Sequence, residues 1–114
     1  MQKKKVLVID DDEIVLELVF DIFEEKKKFV VSLLHNPKIS QIENIDPFAY
    51  DIVLCDFNMT NVNGLDLLKY LINKSNFPRY VLISSAKELI EGDPLLEGLE
   101  VYSKFDICSL INEL

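Results

Sequence analysis

Four short aliphatic runs in this chain each stop at a reactive polar side chain, and that placement constrains its fold more than any other feature. Val6-Leu7-Val8-Ile9 runs into Asp10-Asp11-Asp12, and Ile52-Val53-Leu54-Cys55 runs into Asp56. Val81-Leu82-Ile83 runs into Ser84-Ser85, and Val101-Tyr102 leads through Ser103 to Lys104. Continuous Val/Ile/Leu runs of this length suit strands buried on both faces, as in parallel sheets covered by helices. In such sheets ligands bind in the crevice beyond the carboxyl ends of the strands. Were the four runs neighbours, three or more carboxylates, a hydroxyl and an ammonium would meet at one sheet edge.

The segments between the runs fit helices and further strands. Lys5 to Ile9 reads as the first strand and Glu13 to Lys27 as a helix, with Glu13, Glu17, Asp21 and Glu25 forming one solvated stripe. Its apolar residues Ile14, Val15, Leu18, Val19, Ile22 and Phe23 cover more than half the circumference and are expected to pack on a core. Lys26-Lys27-Lys28 suits the negative end of the helix dipole. Phe29 to Leu34 reads as a second strand and Tyr50 to Cys55 as the third; between them Ile39, Ile42 and Ile45 keep helical spacing, with Pro37 and Asn44 limiting the helix to a short one. Asn61-Val62-Asn63-Gly64 is turn chemistry before a helix from Leu65 to Asn73. Arg79 to Ile83 and Leu99 to Tyr102 supply strands four and five. Asp106 is the expected N-cap of a last helix, on which Ile107, Leu110, Ile111 and Leu114 share one face. Strands alternating with helices predict an α/β fold: a doubly wound, five-stranded parallel sheet with helices on both faces.

Size and composition narrow the class. At 114 residues, 49% of them hydrophobic, residues 1–114 make one domain with a core of its own. No apolar stretch approaches the ~20 residues of a membrane span, and the basic start Lys3-Lys4-Lys5 leads into too few apolar residues for a signal peptide. A net charge of −8 argues against a nucleic-acid-binding surface. Cys55 and Cys108 form no spaced motif and His35 has no partner His, so a zinc site is not expected. A reduced, cytoplasmic protein is the simplest expectation.

Carboxylates crowded as Asp10, Asp11 and Asp56 would be raise one another's pKa unless a cation joins them. Hard oxygen ligands with open water positions suit Mg²⁺, which also favours phosphate oxygens. A carboxylate can attack phosphorus to give an acyl phosphate. An ammonium such as Lys104 and a hydroxyl such as Ser85 would neutralise and bind the phosphoryl oxygens. Asp12 reads more simply as a helix cap.

The residues Val6 to Glu13, Asp51 to Met59, Gly64-Leu65-Asp66-Leu67-Leu68, Ser85-Ala86 and Lys104 together resemble a response regulator receiver domain of two-component signalling, over essentially the whole chain. The resemblance implies a flavodoxin-like, CheY-like fold. It implies that Asp56 accepts a phosphoryl group from a phosphohistidine on a sensor histidine kinase or a histidine phosphotransfer protein. It implies Mg²⁺ held by Asp11, Asp10, Asp56 and the Asn58 carbonyl, with Ser85 as the switch hydroxyl and Lys104 as counter-charge. Such a domain is not a conventional enzyme. It catalyses its own Mg²⁺-dependent phosphorylation and dephosphorylation and switches binding to a downstream protein, here unidentified, with no direct nucleic-acid contact and no membrane insertion.

Four positions depart from the family pattern. Thr60 and Phe105 replace prolines, Val101 stands where an aromatic switch residue is usual with Tyr102 one place off, and the interval from Ser85 to Lys104 is short, with Gly92-Asp93-Pro94 cutting its helix. These changes fall in the output half, so the expectation is phosphorylation with signalling through an unusual surface. Two alternatives are a receiver-like interaction module that acts without phosphorylation and a haloacid-dehalogenase-like phosphatase built on Asp10-Asp11-Asp12. The second motif at Asp56 and the short chain count against the phosphatase.

Overall fold

The computed structural model describes residues 2–85 and 99–114. Five parallel strands form one sheet: β1 (Lys4–Asp10), β2 (Phe29–His35), β3 (Ile52–Asp56), β4 (Arg79–Ser84) and β5 (Glu100–Ser103), in the order β2-β1-β3-β4-β5. The helices are α1 (Glu13–Lys26), α2 (Ile39–Glu43), α3 (Gly64–Lys74) and, among the described residues, a last one, α4 (Ile107–Glu113). This is the expected five-stranded parallel sheet.

The two-residue period of the strands divides the core into two layers. Val6 and Val8 of β1, Ile52 and Leu54 of β3, and Val81 and Ile83 of β4 face Leu16, Val19 and Phe23 of α1 and Leu110 and Ile111 of α4. Leu7, Ile9, Val53, Cys55 and Leu82 face Ile42 of α2 and Leu65, Leu68 and Leu71 of α3. Each fully buried aliphatic side chain contributes about 1.5–3 kcal/mol through water exclusion. The same period continues Val6, Val8 into Asp10 and Ile52, Leu54 into Asp56, so both aspartates project from the sheet on the α1 and α4 side.

Several boundaries shift for local reasons. β2 runs one residue further than expected, to His35, because it pairs with β1 as far as Asp10↔His35. Tyr50 is outside β3: a 3₁₀ turn, Pro47–Ala49, comes first, with the Asp46 carboxylate accepting from the Phe48 N–H. α1 stops at Lys26 because Lys27 takes left-handed backbone, φ 57°. α2 is the short helix expected between Pro37 and Asn44, with Asn44 as its C-cap, and Ile39 is exposed while Ile42 is buried. The expected capping role of Asp106 is not fulfilled by its side chain. Ser103 acts instead, one turn earlier, accepting from the Phe105 N–H into a 3₁₀ turn, Lys104–Asp106.

The wide apolar face of α1 is only partly core. Leu16, Val19 and Phe23 are buried, but Ile14 and Leu18 are 76% and 56% exposed. Val101 packs with the α3 layer and Tyr102 with the α1 layer, the opposite-face arrangement expected for neighbouring strand residues. β5 is half-buried along its length, unlike β3 and β4. Gly92-Asp93-Pro94 lies outside the described residues.

Candidate functional site

The parallel register brings the carboxyl ends of the strands to one edge. Ile9 pairs with Cys55, Asp56 with Ile83 and Ser84 with Ser103, so Asp10, Asp56, Ser84 and Lys104 follow one another across four strands. Asp10 and Asp56 are each only 3% exposed. One carboxylate oxygen from each of Asp10, Asp11 and Asp56 lies within 4.8 Å of the others. The Lys104 ammonium stands 3.5 Å from Oδ2 of Asp10 and 3.3 Å from Oδ1 of Asp56. No cis peptide bond occurs among the described residues, and Lys104 reaches both carboxylates with Phe105 after it.

Local chemistry holds each group in place. The Asp12 N–H donates to Oδ1 of Asp10 at 3.0 Å, and the Asp12 carboxylate caps α1 by accepting from the Ile14 N–H at 2.9 Å. Asp12 is therefore the helix cap its position suggested. His35 Nε2 lies 3.0 Å from the Asp11 carbonyl oxygen. The Thr60 hydroxyl donates to Oδ2 of Asp11 at 3.2 Å. After β3 the chain turns back sharply: the Gly64 N–H donates to the Phe57 carbonyl, and Asn63 caps α3 through its side-chain oxygen. A Cβ on Gly64 would sit 1.9 Å from the Asp56 carbonyl oxygen, so only glycine fits that approach.

Burial is the main force on the carboxyl groups. It raises Asp10, against a backbone hydrogen bond from Asp12 and the charge of Lys104. Burial, then the Asp10 charge, push Asp56 up to about 6, with Lys104 pulling the other way. For Lys104 burial works against the ammonium, but the carboxylates of Asp10 and Asp56 outweigh it and raise its pKa. Each carboxylate pair at this spacing repels by roughly 3–4 kcal/mol at an effective dielectric of about 20. Among the described residues three carboxylates cluster with one ammonium, which pairs with two of them, an excess of negative charge that a divalent cation would offset. The donor set is all oxygen, so the residues present fit Mg²⁺.

Ser85 lies in the turn directly after β4 and is exposed, while its neighbour Ser84 is buried at the strand end. Asn58 is exposed, two residues beyond Asp56, and bridges Asn63. Cys55 is fully buried, its thiol pushed up by burial and then by the Asp56 charge, consistent with a small hydrophobe. Sequence reasoning missed His35 and Thr60 as neighbours of Asp11. The signal for His35 was available, since a strand running parallel beside β1 must end at the same edge. Asp10, Asp56 and Lys104 line a small cavity of about 100 Å³ together with Val15, Leu18 and Ile107.

The chain matches the model of the response regulator receiver domain over residues 6–99, and it belongs to that family. Among proteins of known activity it is similar to the protein-glutamate methylesterase/protein-glutamine glutaminase of Pyrococcus horikoshii, 29% identical over 99 residues that cover 87% of this chain and 26% of the relative. The chain spans about a quarter of the length of the first curated relatives it matches. Among solved structures, the receiver domain of the Francisella response regulator 1452 superposes with a TM-score of 0.78 at 24% identity, covering 97% of this chain and 93% of that one. The response regulator TrrA of Thermotoga maritima, solved in complex with Mg²⁺-BeF, superposes with a TM-score of 0.71 at 22% identity, covering 88% and 84%. The fold is thus that of flavodoxin-like, CheY-like receivers, and the protein is a signalling domain of the two-component class.

Proposed function

We propose that this chain accepts a phosphoryl group on Asp56 from a phosphohistidine donor and switches partner binding as a result. The observation that carries the reading is the buried cluster of Asp10, Asp11 and Asp56 with Lys104 within 3.5 Å of two of them. In the transfer, a carboxylate oxygen of Asp56 forms a bond to phosphorus as the donor's N–P bond breaks, and the leaving imidazole keeps the electron pair and takes a proton. Lys104 approaches Oδ1 of Asp56, which leaves the second oxygen as the candidate attacking atom. Asp10, Asp11, Asp56 and the Asn58 carbonyl would hold Mg²⁺, whose chemistry there is neutralisation of phosphoryl-oxygen charge. Lys104 holds the remaining negative charge, and Ser85 donates a hydrogen bond to a phosphoryl oxygen. Water attacking phosphorus later returns the free carboxylate and inorganic phosphate.

A sensor histidine kinase or a histidine phosphotransfer protein is the protein donor that fits such a site, in the cytoplasm where those donors act. Among the described residues no helix is long and apolar enough to cross a membrane. The output partner is a protein, and Phe105, 89% exposed immediately after Lys104, is the altered feature best placed to touch it. Beryllium fluoride with Mg²⁺, a mimic of the phosphoryl group, tests the reading. Added to protein already saturated with Mg²⁺, beryllium fluoride should produce a saturable change in the amide resonances of residues 10–12 and 56–58 of wild type, and none in Asp56→Asn. The same change in both proteins would remove Asp56 from the role.

A further inference from the structure

Asp11 is the outlier of the acidic cluster. Asp10 and Asp56 are buried and share Lys104, whereas Asp11 is half-buried and has no ion pair among the described residues. A partly solvated carboxylate on a strand's last turn has freedom to rotate, and a cation site depends on ligands held in orientation before the cation arrives. Two contacts restrict it. His35 pins the backbone of Asp11 through its carbonyl oxygen at 3.0 Å, and Thr60, 49 residues away in sequence, donates its hydroxyl to Oδ2 at 3.2 Å. The loop that carries Thr60 is itself tied down on the same side. The Asn61 side chain donates to the Asn36 carbonyl at 3.1 Å, and the Asn36 N–H donates to the Asp10 carbonyl at 2.8 Å. Asn36 holds left-handed backbone, φ 41°, at that junction.

We propose that Thr60 is a positioning residue for the cation site: its hydroxyl orients the Asp11 carboxylate and thereby sets the chain's affinity for Mg²⁺. The hydroxyl uses one lone pair of Oδ2, and the carboxylate keeps others for a cation. Thr60 touches neither the phosphoryl group nor the cation and acts only through Asp11. Because the same loop begins at Asp56, the hydrogen bond also links the phosphoacceptor loop to the end of β1. This inference rests on the proposed function, since it takes the acidic cluster to hold a divalent cation.

The test is a Mg²⁺ titration of the full chain, followed by the amide resonances of Asp11 and Asp12, in wild type, Thr60→Val, Thr60→Ser and Asp11→Asn. Valine keeps the shape of threonine without the donor, and serine restores the donor. Loss of an outer hydrogen-bond partner weakens metal binding by about 10–100-fold; this bond is exposed to solvent, so its loss should fall below that range but reach at least about threefold in Kd. Thr60→Ser should bind as wild type, and the Asp11 carboxyl carbon resonance of the metal-free protein should move in Thr60→Val alone of the two. A smaller change in Thr60→Val, tighter binding, or failure of serine to restore affinity would overturn the proposal. If wild type itself shows no saturable Mg²⁺ response, the cation site and this inference fall together. If wild type binds and Thr60→Val matches it, only the role of Thr60 falls.

Discussion

The ammonium of Lys104 lies 3.3 Å from Oδ1 of Asp56, across a strand end where the carboxylate is almost wholly buried. That pair links the last strand to the central one, and the same ammonium also serves Asp10 at 3.5 Å. Lys104→Ala would take from two buried carboxylates the ammonium that pairs with both, which is more costly than the pair itself. The metal-free variant should therefore show Asp56 titrating above its value of about 6, read by carboxyl carbon resonances against pH. Acceptance of a phosphoryl group should slow by roughly 100-fold, since one preorganised charge at the reacting oxygens is gone. An unshifted Asp56 would show that the contact is incidental.

The acid response of the chelated protein has a definite sign. Asp56 titrates at about 6 when folded against an ordinary 3.8, so between those values the folded chain holds a proton that the unfolded chain has released. Stability therefore falls as pH rises from about 4 to about 6 and stays low above it, the opposite of a salt-bridged carboxylate. The difference is on the order of 3 kcal/mol. Near pH 8 with chelator present, Asp56→Asn should unfold at higher urea than wild type, and the gap should close toward about pH 4. Matching midpoints near pH 8 would contradict this.

Gly64 meets the backbone of the phosphoacceptor itself. Adding a methyl group there forces the Asp56 carbonyl, 1.9 Å from the new carbon, to move. Gly64→Ala should cost about 1–3 kcal/mol or more and lower Mg²⁺ affinity along with it. Urea unfolding with a parallel Mg²⁺ titration checks both effects. Loss of stability with unchanged affinity would separate the turn from the site.

Phe105 makes a different kind of prediction. At 89% exposure its ring packs on little, so Phe105→Ala should change stability by no more than about 0.5 kcal/mol and leave phosphoryl acceptance intact. Phe105→Pro removes the N–H that the Ser103 hydroxyl accepts at 3.2 Å, and should cost about 1 kcal/mol. Chemical denaturation of the two variants side by side distinguishes the ring from the backbone donor. A large loss in the alanine variant would show a packing role.

Much of this was legible in the sequence, for a physical reason. Runs such as Val6 to Ile9 and Ile52 to Cys55 have apolar side chains on both faces, which only a doubly covered strand accommodates, and a parallel register then places Asp10, Asp56 and Lys104 at one edge. What escaped depends on loops and on solvent. The Thr60 to Asp11 bond follows from the path of the β3–α3 turn, which no periodicity encodes. The exposure of Ile14 and Leu18 on α1 follows from how much of its circumference the sheet covers. Asp106 carried the composition of a cap, but the 3₁₀ turn that Ser103 begins starts three residues earlier.

Intact mass after incubation with Mg²⁺ and acetyl phosphate tests the central claim most directly. Wild type should gain a single phosphoryl group that hydroxylamine removes, as an acyl phosphate requires, and Asp56→Asn should gain none. A phosphoryl adduct of equal extent on both proteins would contradict the assignment of Asp56. No adduct on wild type, from acetyl phosphate or from a phosphohistidine donor, would contradict phosphoryl acceptance altogether.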